Sequence, residues 1–230
     1  TYVYDALGQL VRVNDPHENA TWVYIYDRGG NILSCVEYAY TTGTLGAATQ
    51  TTAYTYGDSN WKDKVTAIGG KTITYDAIGN PLTYDGWTFA WKAGRMLASM
   101  VKSGTNAQFT YDHNGLRIKK VVNGVTTNYT LNGKNVVHMT QGSHDLHFFY
   151  DAQGKPGMVT YNDVDYFYVY NLQGDVVALI DADGTQVVEY VYDAWGNPIS
   201  KTGTMAATLG TVNPFRYRGY VYDEETGLYY

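Results

Sequence analysis

The chain has 230 residues and a single cysteine, Cys35. One thiol excludes an intramolecular disulfide framework and any multi-cysteine zinc site. Charged residues are only 17% of the composition, and acids outnumber bases for a net charge of −6. A nucleic-acid backbone or an anionic membrane needs a basic face, so neither is the expected partner. No apolar run approaches the roughly 18 residues of a membrane helix, and no membrane insertion is expected. The A/E/K/L/R periodicity of a long helix is missing as well. So are G-x-S-x-G, P-loop, G-x-G-x-x-G and H-E-x-x-H motifs. The chain opens on Thr1 without a signal peptide, and reads as a piece of a longer protein.

Tyrosine and glycine are present in excess, 24 and 25 residues. Aromatic enrichment with many glycines favours strands and turns. The tyrosines also recur in a phrase: an aromatic residue, Asp or a substitute, two variable residues, Gly, one residue, then an apolar one. "YDALGQL" at Tyr4 and "YDAWGNP" at Tyr192 are two copies. The signature pairs are Tyr4 and Gly8, Tyr26 and Gly30, Tyr75 and Gly79, Tyr111 and Gly115. They continue with Tyr129 and Gly133, Tyr150 and Gly154, Tyr170 and Gly174, and Tyr192 and Gly196. Degenerate copies are "YGDSNWKDKV" at Tyr56 and "WKAGRML" at Trp91, and a last variant, "YDEETGLYY", begins at Tyr222.

The physics of one copy is readable. Alternation before the turn points Val188, Tyr190 and Tyr192 one way and Val187, Glu189 and Val191 the other. The Asp can bond backbone two residues on, and the Gly can take positive φ. A second strand follows, so each copy is one β-hairpin, and two strands with two connections need about 20 residues. Prolines fall just after turns, where a missing N–H is tolerated. "DADGT", Asp181 to Thr185, reads as a return turn. Two longer inserts, Thr41 to Gln50 and Lys201 to Val212, read as rim loops, the kind that can hold a short helical turn. Hairpins cannot bury an apolar face alone, so the fold class is all-β. It is an antiparallel array of about ten hairpins in one long, curved, spiralling sheet over residues 1–230.

These phrases resemble the YD-repeat family, the Rhs-type proteins of bacteria and the related teneurins of animals. The C-terminal part, from about residue 165 to 230, carries "YNLQGDVVALIDADGTQVVEYVYDAWGNP" and "NPFRYRGYVYDEETGLYY". It is similar to the start of the Rhs-associated core of Gram-positive secreted or wall-associated proteins. The resemblance implies part of a hollow β-shell that encloses a C-terminal toxin or effector domain of the parent chain. It implies a bacterial secreted, cell-wall or cell-surface location. The family's core continues into a plug and an Asp-containing self-cleavage signature; this chain ends at Tyr230 before either. No catalytic residue, no cofactor and no metal site is expected within it.

Several residues have two readings. The signature tyrosines read as structural, stacked on cross-strand aromatics with their hydroxyls turned to solvent or backbone. A glycan-binding stripe is the alternative, with Trp61, Trp87 and Trp91 as contacts, and Tyr2, Tyr24 and Tyr54 beside them if exposed. His138, His144, His147 and Asp145 could make a metal site, but "VVHMTQGSHDLHFF" reads first as a solvated hairpin end. Asp181 and Asp183 open like a calcium loop, yet position 12 is Tyr192, which leaves a plain turn. Asp163 and Asp165 read as turn residues, and Cys35 as a core thiol in a strand. Open sheet ends make an edge-to-edge homodimer conceivable.

Overall fold

The computed structural model describes all 230 residues. They form two compact units, Thr1–Phe89 and Ala90–Tyr230. Within each sheet every strand pairs antiparallel with its neighbour in sequence, as hairpins in series require, but the pairing breaks between Lys71–Thr72 and Thr74–Tyr75, so the strands do not form the one continuous sheet expected. The first unit holds a seven-stranded sheet running from Tyr2–Tyr4 to Lys71–Thr72. Thr74–Tyr75, Pro81–Tyr84 and the start of Trp87–Lys92 pair consecutively with one another in a separate sheet. The second unit continues from Trp87–Lys92 to Pro198–Thr202. It ends in a short helix, Leu209–Val212, a 3-10 turn, Tyr217–Gly219, and a small hairpin, Tyr222–Asp223 with Leu228–Tyr229.

The Asp-x-x-Gly turns share one construction. Asp5 Oδ1 accepts the backbone N–H of Leu7 and of Gln9, both at 2.9 Å. Asp27, Asp76, Asp112, Asp151 and Asp193 accept from the second and fourth following residues in the same way. Asn171 does so with its amide oxygen. Asp181 does so in the return turn, so "DADGT" is a further copy of the loop. One carboxylate oxygen thus satisfies two N–H groups that the hairpin ladder cannot reach. The signature glycines all take positive φ, from 59° at Gly133 to 91° at Gly174. The copy at Tyr129 differs. Its strand, Val125–Asn132, runs on until Asn132 pairs Asn135, and the turn centres on Gly133 and Lys134.

A bulge precedes the signature tyrosine, which then faces the residue six positions on: Tyr26 with Ile32, Tyr150 with Pro156, Tyr170 with Val176. That partner opens the next strand. The tyrosine of the following copy closes on the partner's carbonyl. Tyr26 Oη donates to Leu10 O at 2.8 Å and Tyr56 Oη to Ile32 O at 2.9 Å. Tyr170 Oη reaches Pro156 O at 2.5 Å, and Tyr192 Oη reaches Val176 O at 2.8 Å. Tyr75, Tyr111 and Tyr150 make the same bond to Val65, Leu97 and Val136. Leu97 lies six residues after Trp91, so the degenerate copy still offers the acceptor. Hairpins are therefore latched to each other by side chain as well as by ladder.

Two outcomes follow from the latch. Tyr170→Phe leaves the Pro156 carbonyl without its donor and should cost about 1–2 kcal/mol in urea unfolding, whereas Tyr220→Phe at an exposed site should stay within about 0.5 kcal/mol. Burial pushes the Tyr150 hydroxyl up to about 12 and those of Tyr170 and Tyr192 further. The unfolded chain ionises near 10. Their contribution is thus complete below about pH 10 and lost as pH rises towards 12 and beyond, because the unfolded state releases the proton first. Tyrosinate absorbance should rise in two phases, the second together with loss of near-ultraviolet circular dichroism. A single phase near pH 10 with the fold intact would show the hydroxyls to be solvated.

Candidate functional site

In the second unit the repeat builds one continuous apolar face. The second strand of most hairpins buries the same two positions: Ala107 and Phe109, Leu146 and Phe148, Tyr166 and Tyr168, Val188 and Tyr190; the strand Val125–Asn132 between the first two puts Thr127 and Tyr129 there. Strand alternation puts each pair on one side of the sheet. The C-terminal segment from Gly203 onwards lies against this face. Gly203 crosses the strand with no room for a Cβ beside Val187 O, and Met205 N–H bonds that same carbonyl at 2.9 Å. Leu209 is fully buried. The Phe215 ring stands edge-on to Phe148, centroids 5.0 Å apart, and to Tyr168 at 6.2 Å.

Polar groups of the segment are matched to repeat tyrosines. Tyr168 Oη donates to Asn213 Oδ1 at 2.6 Å, and Tyr190 Oη to Gly210 O at 2.9 Å. Arg216 is 2% exposed and lies over the Tyr190 ring, 4.1 Å from its centroid. Its guanidinium donates to the carbonyls of Gly210 and Asn213, and Glu224 stands 3.4 Å away. A buried guanidinium surrounded by acceptors fastens the chain on itself.

A second buried charge cluster joins the terminal hairpin to the sheet. Arg117 Nη1 meets Asp223 Oδ2 at 2.6 Å; Lys120 Nζ lies 3.1 Å from Asp223 Oδ1 and 2.6 Å from Glu225 Oε2. The Arg117, Lys120 and Asp223 side chains are all less than a tenth exposed. Burial pulls the Lys120 ammonium down, but Tyr129, Asp223 and Glu225 more than restore it. The Arg117 guanidinium is sandwiched between Phe109 and Tyr230, 4.4 and 4.1 Å from their centroids. Tyr230 Oη accepts the Arg117 backbone N–H at 3.0 Å. Beside them lies a cavity of about 340 Å³ lined by Trp91, Met96, Tyr111 and Leu228.

These contacts require the sheet of this unit to curl. Tyr229 Oη donates to Gly196 O at 2.7 Å, while its neighbour Tyr230 sits on Arg117 and Gly115. On a flat sheet the strands Arg117–Val122 and Gln186–Tyr192 are seven spacings apart, about 34 Å at 4.8 Å each. Adjacent residues, with Cα atoms about 3.8 Å apart, cannot bridge that distance. The face is therefore concave, with the C-terminal segment inside the bend. The Gly196 turn also receives the Tyr217 ring so closely that a Cβ there would collide with it.

The residues singled out from sequence sort as follows. His138 and His147 are cross-strand partners with Asp145 between them, while His144 turns away and bonds Tyr161 Oη at 2.8 Å. Asp163 lies in a turn with positive φ; Asp165 instead belongs to the strand Val164–Tyr170 and accepts from the Thr160 hydroxyl at 2.6 Å. Cys35 is half-buried in the strand Ile32–Ala39. Trp61 is 47% exposed and leans on the Gly79 turn; Trp87 and Trp91 are half-buried. Thr41–Gln50 is partly strand, since Ala48–Thr55 begins inside it. Arg117, Lys120, Arg216 and Asp223 were not anticipated. The available signal was charge at inward-facing strand positions, which demands a buried partner.

The family model of the teneurin YD-shell matches residues 1–230. The tRNA nuclease WapA of Bacillus subtilis (strain 168) is 37% identical over 235 residues, covering 99% of this chain and 10% of that protein. The tRNA3(Ser)-specific nuclease WapA of Bacillus spizizenii gives the same identity and coverage. The chain thus spans about a tenth of the curated relatives it matches. Among solved structures, a Photorhabdus luminescens Tc holotoxin pore superposes with a TM-score of 0.67 at 18% identity, over all of this chain and 13% of that one. The crystal structure of TcdB2–TccC3 gives 0.66 at 18%, over all of this chain and 14% of that one. The likeness is in the all-β antiparallel fold.

Removing the carboxylate from the second cluster should be costly. Asp223→Ala strands Arg117 in a buried site and leaves Lys120 only Glu225, a change worth about 3–5 kcal/mol. Urea unfolding followed by tryptophan fluorescence measures it. A loss below about 1 kcal/mol would show the cluster to be hydrated.

Proposed function

The chain belongs to the teneurin YD-shell family, and on that premise we propose that it is a wall segment of a β-shell that holds the C-terminal effector of its parent protein. The observation that carries this reading is the concave face of the second unit, which already retains a stretch of polypeptide by buried aromatic and charged contacts. Retention of this kind needs no reacting group. It needs a curved, latched sheet, and a repeat of hairpins in series supplies one. The matched relatives are named tRNA nucleases, and the chain spans a tenth of them. Our reading assigns this segment containment and leaves any nuclease chemistry to the remainder of such a parent. No helix is long and apolar enough to cross a membrane. We infer a bacterial secreted or cell-surface parent from the toxin relatives. Glycan binding has less support, since Trp87 and Trp91 are half-buried and Trp61 rests on a turn.

The test is limited proteolysis of the parent chain with its C-terminal domain in place. Protease should cut that domain slowly in the native parent and rapidly once Asp223→Ala loosens the wall. Equal, fast cleavage in both would remove containment as the function.

A further inference from the structure

We propose that His138, Asp145 and His147 form a binding site for a divalent ion of the zinc class on the sheet face opposite the concave one. His138 lies on the strand Asn135–Gln141, and Asp145 and His147 on the next, His144–Tyr150. Register pairs His138 directly with His147, and Asp145 is two residues before His147, so all three side chains leave the same face. Leu146 and Phe148, which alternate with them, are buried on the other side. The geometry is already convergent. Both histidine Nε2 atoms stand 3.1 Å from the same oxygen, Asp145 Oδ1. The imidazoles are stacked, centroids 4.3 Å apart and planes 14° from parallel. One ligand atom from each residue lies within 4.8 Å of the others.

Tetrahedral zinc with bonds of about 2.0–2.1 Å places its ligand atoms roughly 3.3 Å apart, close to the two N···O separations found. Side-chain rotation brings the nitrogens together, and the exposure of Asp145 and His147 leaves room for it. Two imidazoles and one carboxylate select zinc, nickel or copper over calcium and magnesium, which take oxygen ligands. On binding, each neutral imidazole carries its proton on Nδ1 and offers the Nε2 lone pair; the ion replaces the two contacts to Asp145. Water completes the coordination. The residues directly opposed to the three in neighbouring strands include Thr130, Thr140 and Thr160, so no ammonium or guanidinium occupies those positions. His144 is outside the site, because its Nδ1 is engaged with Tyr161 on the other face.

The experiment is calorimetric titration of the tag-free chain with Zn²⁺, with metal content checked by atomic emission after dialysis. One equivalent should bind. His138→Ala, His147→Ala and Asp145→Asn should each weaken binding by at least about tenfold, since even outer partners of metal ligands cost 10–100-fold, and His144→Ala should not. Zn²⁺ should raise the melting temperature of the unsubstituted chain and of His144→Ala only. If a variant fails to fold, Zn²⁺-dependent shifts of the His138 and His147 ring protons in the unsubstituted chain give the same answer. Absence of saturable uptake overturns the site. So does uptake that survives loss of both histidines, which would place the ion at Cys35, His17 or His113.

Discussion

A tyrosine hydroxyl closing on the carbonyl of the preceding hairpin is the contact on which the array depends. Seven of the signature hairpins end in a bulge and a five-residue loop, and such irregularities leave backbone groups outside the ladder. The Asp of the loop satisfies two N–H groups locally. The carbonyl that opens the next strand is satisfied from the following hairpin, as Tyr170 does for Pro156 and Tyr192 for Val176. Local turn chemistry and long-range order are thus joined at one residue. A proline at the acceptor position, as at Pro156, is compatible because only its carbonyl is used.

The latch also explains the burial pattern. The signature tyrosine lies two residues after a core position, on the same face, so its ring extends the apolar surface while its hydroxyl reaches back along it. Repeated over the latched hairpins, this makes an aromatic face on which the tyrosines present their polar groups at the ring tips. The C-terminal segment exploits those tips: Asn213 and Gly210 accept from Tyr168 and Tyr190. Where the repeat offers no tyrosine latch, near Tyr129, the face carries Arg117 and Lys120 instead, and Asp223 and Glu225 answer them. Containment by such a wall rests on complementary contacts in a bent sheet. That agrees with the chain's place in the YD-shell family.

The two sides of the sheet divide the work. The concave side is aromatic, with paired buried charges. The opposite side carries threonines, histidines and Asp145 in register beside an apolar row of Phe149, Met158 and Phe167, and a cation at the histidines would cross-link two neighbouring strands without touching the latched face.

How much of this was legible in the sequence depends on range. The hairpin unit, its Asp and Gly turn and the all-β class follow from residues at most six apart, where steric and hydrogen-bond rules act directly. The degenerate copy at Trp91 turns differently, on Ala93 and Gly94 at positive φ, yet Leu97 still offers its carbonyl to Tyr111. Asp165 was misplaced by two residues' proximity to a turn, since local propensity cannot tell a strand's second residue from a loop. A curved sheet was expected, but Arg216, Asp223, the extent of the curl and the face it encloses were beyond reach. Their partners lie more than a hundred residues away in the case of Arg117 and Asp223, and nothing local specifies how far a twisted sheet bends. The sequence by itself determined the repeating unit and what each copy must satisfy. Only the tertiary structure decided which face became concave and which charges met inside it, because those outcomes depend on the summed twist of many strands rather than on any one of them.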